Sequence, residues 1–76
     1  MNVGMLWFDN DPRTALKSKV ERAADYYRRK YGRIPDLCLV HPSMLSGRPG
    51  ESGKVTIRSN RLILPGHLWI GEDGNS

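Results

Sequence analysis

The sequence predicts a two-layer α+β domain in which one amphipathic helix packs on a small mixed β-sheet. A long helical pattern in residues 12–31 is the first observation behind this class, and short apolar runs bounded by proline, glycine, serine or asparagine are the second. The third is size and composition. A chain of 76 residues that is 38% hydrophobic and 26% charged forms one folded domain, spanning residues 1–76. We expect the element order β-α-β-β-β-β.

The helix of residues 12–31 is the clearest element in the sequence. Its apolar residues recur at intervals of four, three, four and four positions and form one stripe: Leu16, Val20, Ala23, Tyr27 and Tyr31. Asp11 is predicted to cap the first turn, because its carboxylate can accept a hydrogen bond from a free backbone N–H, and Pro12 has no N–H to leave unpaired. Gly32 is predicted to end the helix as a left-handed cap.

Five strands are predicted around this helix. The first lies within residues 1–10, and the others span residues 37–41, 54–58, 61–64 and 67–71. Ser59 and Asn60 are predicted to form a hairpin turn. Residues 43–53 are rich in glycine and serine and predict a polar loop, and residues 72–76 predict a frayed tail. The first two strands are expected to be parallel across the helix, and the C-terminal strands to form an antiparallel hairpin or meander.

The strands carry apolar residues on both of their faces. Consecutive residues of a strand point to opposite sides of a sheet, and residues 5–8, 37–40 and 68–70 are apolar without interruption. A single helix covers one side only. We therefore expect the second side to be an exposed surface that binds protein, with these interface candidates: Trp7, Trp69, Met5 and Ile63. The alternative is that the sheet curls and the loop of residues 43–53 covers this face.

A second candidate surface lies along the helix. Residues 17–33 hold seven basic and two acidic side chains. The candidate nucleic-acid contacts on one edge of the helix and just beyond it are Lys19, Arg22, Tyr26, Arg29 and Arg33. Guanidinium groups beside a tyrosine are the groups that bind phosphates and stack on bases. Basic residues beside an apolar stripe also occur at ordinary solvated boundaries, where their stems cover the edge of the core.

Motifs for catalysis and metal binding are weak. Residues 50–54 resemble the end of a phosphate-binding loop, but the motif's first glycine and its final serine or threonine are replaced. Cys38 and His41 lie three positions apart on a strand and so point to opposite faces. His41 could meet His67 if their strands pair, which makes a small enzyme the third hypothesis. No cofactor is predicted, and one cysteine with two histidines cannot form a structural zinc site or an intramolecular disulfide.

A small non-catalytic interaction module is the leading hypothesis. A domain of this size buries a small core, so self-association or a place in a larger assembly is the remaining way to stabilise it. A nucleic-acid-binding protein is the alternative, which the net charge of +4 accommodates. No apolar run approaches the length of a membrane span or resembles a signal peptide. The expected compartment is the cytoplasm, without a membrane partner.

Overall fold

The computed structural model describes residues 3–45, 50–52 and 55–73. In this part of the chain, one α-helix and five strands follow the order β1 (Val3–Phe8), α1 (Leu16–Tyr31), β2 (Leu37–Val40), β3 (Gly50–Ser52), β4 (Val55–Ser59) and β5 (His67–Glu72). A short 3₁₀ turn, Pro42–Met44, follows β2. The helix packs on one side of a mixed sheet, which confirms the α+β class predicted from the sequence.

The strands form one sheet in the order β1-β5-β2-β4-β3. Strand β5 runs antiparallel to both of its neighbours, so β1 and β2 are parallel to each other with β5 between them. Strand β4 pairs with β2 in parallel and with β3 in antiparallel orientation. The crossover through α1 therefore leaves a gap of one strand, which β5 fills. This insertion places the two six-residue strands, β1 and β5, side by side at one edge of the sheet.

The core lies between α1 and one face of the sheet. The helix contributes Val20, Ala23 and Tyr27, which are fully buried. Leu16 packs against the same cluster, and the ring of Tyr31 packs on that of Tyr27 with centroids 4.7 Å apart. The apolar stripe predicted for the helix is thus confirmed. The sheet contributes alternate residues of its three inner strands: Cys38, Val40, Val55, Ile57, Leu68 and Ile70.

The helix begins at Leu16, four residues after the predicted start at Pro12. The carboxylate of Asp11 accepts hydrogen bonds from the Arg13 N–H at 2.9 Å and from the Thr14 hydroxyl at 3.2 Å. These bonds close a turn ahead of the helix, so the prediction that Asp11 caps α1 was wrong. Aspartate stabilises such turns through its side chain as readily as it caps helices.

The helix ends at Gly32, as predicted. The φ angle of Gly32 is 68°, in the left-handed region, and its N–H donates to the Arg28 carbonyl at 2.8 Å. Glycine adopts this conformation without a clash of Cβ against the preceding carbonyl. With its 16 residues, α1 is not long and apolar enough to cross a membrane, and neither is any other helix in the described ranges.

The strand predicted for residues 61–64 was wrong, because the segment between β4 and β5 is a turn. Asn60 organises this turn: its side-chain oxygen accepts the Leu62 N–H at 2.8 Å, and its carbonyl accepts the Ile63 N–H at 3.1 Å. Asparagine readily replaces backbone acceptors in this way. The hairpin predicted at Ser59 and Asn60 was therefore also wrong, and the apolar side chains after it belong to a turn.

The third strand lies instead inside the segment predicted as a loop. Strand β3 pairs with β4, and Gly50 stands opposite Ile57 in this register. Apolar periodicity does not identify a strand of three residues made of glycine, glutamate and serine. The remainder of the predicted loop around it, residues 46–49 and 53, lies outside the described residues, as does the residue predicted to begin the following strand, Lys54.

Glu72 ends β5 rather than beginning a frayed tail. Its carboxylate accepts a hydrogen bond from the Tyr27 hydroxyl at 2.7 Å, and its other oxygen lies 2.7 Å from the Arg33 guanidinium. One position later, the Asp73 N–H donates to the carboxylate of Asp36 at 2.8 Å. These contacts fix the first two residues of the predicted frayed tail, Glu72 and Asp73. Its last three, residues 74–76, lie outside the described residues.

Candidate protein-interaction surface

The sheet has one face covered by α1 and one face opposite to it. On the covered face, Leu68 and Ile70 of β5 belong to the core cluster. Because side chains alternate along a strand and the register aligns them across strands, the intervening residues lie on the opposite face. We call this the far face. Its positions on the four longer strands are Gly4, Leu6, Phe8, Leu37, Leu39, Thr56, Arg58, His67, Trp69 and Gly71.

The far face exposes large apolar side chains at its β1 edge. Leu6 is 63% exposed and Phe8 is 59% exposed. Toward the middle of the sheet, Trp69 and Leu39 are half-buried. Leu6 stands opposite Trp69 in register, and Trp69 stands opposite Leu39, so three adjacent strands present one continuous apolar strip. We refer to Leu6, Phe8, Leu39 and Trp69 as the far-face patch.

Trp69 lies over the backbone of two glycines. A Cβ atom on Gly4 would overlap the indole, and one on Gly71 would overlap the Val3 carbonyl oxygen and come within 2.8 Å of an indole carbon. Gly4 and Gly71 are direct partners in the β1–β5 register, and Trp69 precedes Gly71 by two positions on the same face. The indole therefore fills the space of a side chain at Gly4 and borders the position of one at Gly71.

The turn before β5 holds Phe8 in place. The Asp9 N–H donates to the Gly66 carbonyl at 2.9 Å, which extends the β1–β5 pairing by one position. The phenyl ring lies 4.9 Å from the His67 imidazole, with an angle of 55° between the ring planes. These contacts occupy one side of the Phe8 ring and leave most of its area to solvent.

The far-face patch lies on a part of the sheet without formal charge. Strand β1 holds no charged residue, and its far-face neighbours on β5 and β2 are apolar residues, glycine and histidine. Arg58 on β4 is the first charged side chain reached across the described far-face positions. An uncharged apolar surface bordered by a cation is the composition typical of the centre and rim of a protein interface.

Of the four interface residues predicted from the sequence, Trp69 is the one on the far face. Trp7 and Met5 lie on the covered side and pack against the core. The Trp7 ring packs on Tyr26 of α1, with centroids 5.2 Å apart. Its indole N–H is buried without a hydrogen-bond acceptor among the described residues. Ile63 lies half-buried in the turn after β4. The structure therefore places the two tryptophans on opposite sides of the sheet.

Leu6 and Phe8 were absent from the predicted contacts. The side chains of β1 alternate between the two faces of the sheet, and the alternation does not tell which face the helix covers. One signal was available. The set containing Leu6 and Phe8 also contains Gly4, which leaves an unfilled position that a packed core disfavours. The fuller set of Val3, Met5 and Trp7 is therefore the better candidate for the covered side.

The predicted basic edge of α1 does not form one free cationic surface. Lys19 is buried, and its ammonium lies 4.0 Å from the Asp9 carboxylate. The Arg29 guanidinium is 3.1 Å from the carboxylate of Asp25. The Arg33 guanidinium is 2.7 Å from a carboxylate oxygen at the end of β5. Three of the five predicted nucleic-acid contacts are thus engaged in ion pairs within the chain.

Arg22 and Tyr26 complete the predicted basic edge. Arg22 is exposed on α1. Tyr26 is partly exposed, with its ring against Trp7. A polyanion approaching this edge would meet Arg22 and Arg29, and the single carboxylate of Asp25 is shared between Arg29 and Arg28 at 3.1 Å each. The ion pairs therefore reduce the positive charge of this edge without cancelling it.

The histidines and the cysteine make local or core contacts. His41 Nδ1 lies 2.8 Å from Ser43 Oγ and accepts the Ser43 N–H at 3.1 Å, which caps the 3₁₀ turn. His67 Nδ1 lies 3.3 Å from the Pro65 carbonyl. Burial raises the pKa of the Cys38 thiol to about 12, so the thiol stays neutral. Among the described residues, no three histidine, cysteine, aspartate or glutamate side chains group closely enough to hold a metal ion.

Fold and surface together define a small α+β domain with one helix-covered sheet face and an opposite face that exposes apolar side chains at its β1 edge, whereas Leu37 on β2 is buried. No known protein family, curated protein or solved structure matches this chain.

Proposed function

We propose that this protein is a non-catalytic interaction module that associates with itself, or serves as a subunit of a larger assembly, through the far-face patch. The observation that carries the proposal is the exposure of Leu6 and Phe8 on the sheet face opposite α1. Contiguous apolar surface of this kind on a small domain marks a site of protein contact.

The energetics of burial support this choice. Removing apolar surface from water contributes about 25 cal/mol per Å², or about 1.5–3 kcal/mol for a fully buried large side chain. Leu6 and Phe8 each keep more than half of their surface available for such burial. Trp69 adds a fixed aromatic group of the kind that dominates interface energies.

Domain size gives a second reason. A chain of 76 residues with a single cysteine has no internal disulfide to stabilise its fold. One helix packed on one sheet face buries a modest core for a domain of this length. Association through the far face would add a second apolar layer to the sheet.

Nucleic-acid binding by the helix edge is the rival function. The ion pairs of Lys19 and Arg33, and the carboxylate that Arg29 shares with Arg28, favour the interaction module over it because they reduce the positive charge available on this edge. If the helix edge binds nucleic acid, the purified protein should carry bound nucleic acid, seen as a high ratio of absorbance at about 260 nm to absorbance at about 280 nm. Its affinity for nucleic acid should also fall steeply as the salt concentration rises.

The test is the native mass of the protein and of charged variants, measured by size-exclusion chromatography with light scattering. We expect the wild type to be an oligomer, and Leu6→Glu and Phe8→Glu to be folded monomers, because a charge buried in an apolar contact is costly. Leu62→Glu is the matched control, since Leu62 is 89% exposed in the turn after β4 and should leave the mass unchanged.

Two outcomes oppose the proposal. A wild-type protein that stays monomeric up to the highest soluble concentration would show that the patch does not support self-association. An oligomer that persists in both Leu6→Glu and Phe8→Glu would show that a different surface makes the contact. Circular dichroism of each variant separates loss of association from loss of folding.

A further inference from the structure

Strand β1 forms one edge of the sheet and has hydrogen-bonding groups that β5 does not use. Its pairing partner among the described strands is β5 alone. The Asp9 N–H bonds to the Gly66 carbonyl, and hydrogen-bonded pairs alternate along an antiparallel ladder. In this register the N–H and C=O groups of Met5 and Trp7 therefore face β5. Those of the alternate residues, Gly4, Leu6 and Phe8, face away from the sheet.

This edge lacks the features that prevent strands from pairing with other chains. Edge strands are commonly protected by charged residues, proline, bulges or short length. Strand β1 has six residues, none of them charged or proline, and pairs with β5 in an unbroken register of six positions. At the opposite edge, the described part of β3 spans three residues. The unprotected edge and the far-face patch meet at Leu6 and Phe8.

We propose that β1 pairs antiparallel with β1 of a second copy of this chain. The inference rests on the proposed function and names its partner. An identical strand is a suitable partner because antiparallel pairing about a two-fold axis places every outward-facing N–H of one copy opposite an outward-facing C=O of the other. Two-fold pairing also brings like residues together, and β1 carries no charge that would repel its own copy.

The far face favours one register, with Leu6 opposite Leu6 of the second copy. Gly4 then stands opposite the second copy's Phe8, and the phenyl ring comes to lie beside the indole that covers Gly4. Each copy would bury the edge of its exposed Leu6 and Phe8 side chains in this way. The two sheets would join into one continuous sheet of ten strands, with both far-face patches adjacent.

Amide hydrogen exchange at two protein concentrations tests the pairing directly. In a sample that light scattering shows to be mostly dimeric, the amides of Gly4, Leu6 and Phe8 should exchange at least about tenfold more slowly than in a mostly monomeric sample. The amides of Met5 and Trp7 face β5 in both states. They are the internal control and should show a much smaller change.

Cross-linking provides the second measurement. Directly opposed residues of a hydrogen-bonded pair have Cα atoms about 5.5 Å apart, within the range that a disulfide spans. We expect Leu6→Cys to form covalent dimers under mild oxidation at least about tenfold faster than Leu62→Cys, whose site is more exposed but lies off the edge. Cys38 does not compete, because its thiol is buried in the core.

The outcomes distinguish the edge pairing from the proposed function. If the protein is dimeric while Gly4, Leu6 and Phe8 stay unprotected and Leu6→Cys cross-links no faster than Leu62→Cys, the edge pairing is overturned and association through the far face stands. If the protein is monomeric at every concentration, both proposals of self-association are overturned.

Discussion

Among single residues, Glu72 connects segments that are far apart in the sequence. Its carboxylate accepts a hydrogen bond from the Tyr27 hydroxyl of α1 at 2.7 Å and from Arg33 Nε at 2.9 Å. One side chain at the end of β5 thereby holds the helix and the segment after it to the sheet. Burial and the Glu72 hydrogen bond raise the pKa of Tyr27 to about 12, so its hydroxyl remains a donor at ordinary pH.

Replacing Tyr27 by phenylalanine should destabilise the fold. The substitution keeps the buried ring and removes a hydrogen bond to a charged acceptor, which we expect to lower the free energy of unfolding by about 1–2 kcal/mol. Urea denaturation followed by tryptophan fluorescence measures the change. Tyr31→Phe is the control, because Tyr31 is partly exposed and has no hydroxyl hydrogen bond among the described residues. Equal losses in the two variants would contradict a specific role for the Glu72 contact.

Glu72 should also make stability depend on acid pH. The hydrogen bonds from Arg33 and then Tyr27 lower the pKa of Glu72 below its ordinary value of 4.5. A carboxylate with a lowered pKa in the folded state contributes stability that is present above the ordinary value and lost as pH falls through the folded value. Unfolding free energies measured from about pH 5 to pH 3 should therefore fall less steeply in Glu72→Gln than in the wild type.

Glu21→Gln serves as the control for this pH series. Glu21 is exposed on α1 and forms no ion pair among the described residues, so its variant should follow the wild-type slope. Some acid dependence will remain in Glu72→Gln, because the Arg13 backbone N–H also lowers the pKa of Asp11. An unchanged slope in Glu72→Gln would mean that the contact contributes no pH-dependent stability.

Between elements, the pairing of β1 with β5 depends on two glycines as much as on hydrogen bonds. Gly4 and Gly71 are partners in this register. The Trp69 indole lies where a side chain of Gly4 would be, and the β1 backbone and the indole both lie close to Gly71. The indole cannot keep this position if Gly4 gains a methyl group. The arrangement explains why Trp69 is only half-exposed although Leu6 beside it is exposed.

Gly4→Ala should destabilise the protein by about 1–3 kcal/mol through overpacking against the indole. The part of this loss that comes from the indole should disappear in a Trp69→Val background, and the part from the Ile70 carbonyl, 2.9 Å from the added Cβ, should remain. This double-mutant cycle isolates the indole contact. Gly32→Ala is the control. A Cβ atom at this position would meet open space, so the expected loss of about 1 kcal/mol in unfolding free energy comes from the positive φ angle. This loss should simply add to the loss caused by Trp69→Val. Additive behaviour of Gly4→Ala would contradict the packing described above.

For the whole molecule, the two proposed surfaces differ in how salt should affect them. The far-face patch is uncharged, so its association should be unchanged or stronger as salt rises from about 0.1 to about 0.5 M. The double variant Arg22→Glu, Arg29→Glu should keep the wild-type association constant within about threefold, since neither residue lies on the sheet. Light scattering over a dilution series measures both. Association that weakens steeply with salt, or that the double variant abolishes, would move the interface to α1.

Local patterns in the sequence determined the class of this protein and several of its elements. The helical stripe, the left-handed cap at Gly32 and the apolar strands at both ends of the chain follow from interactions between residues close in sequence. Alternation in β1 likewise established that one half of its side chains would oppose the helix. These features need no knowledge of distant contacts, which is why periodicity and composition are sufficient for them.

Tertiary structure alone decided which surface is exposed. The insertion of β5 between β1 and β2 depends on pairing between residues far apart in sequence, such as Val3 with Glu72 and Leu37 with Gly71. That pairing places Leu6 and Phe8 beside Trp69, puts Trp7 under the helix, and leaves β1 at the edge of the sheet formed by the described strands. The pairing of Lys19 with Asp9 and of Arg33 with Glu72 likewise appears only after folding. Alternation tells which side chains share a face, but long-range pairing decides which face the core covers.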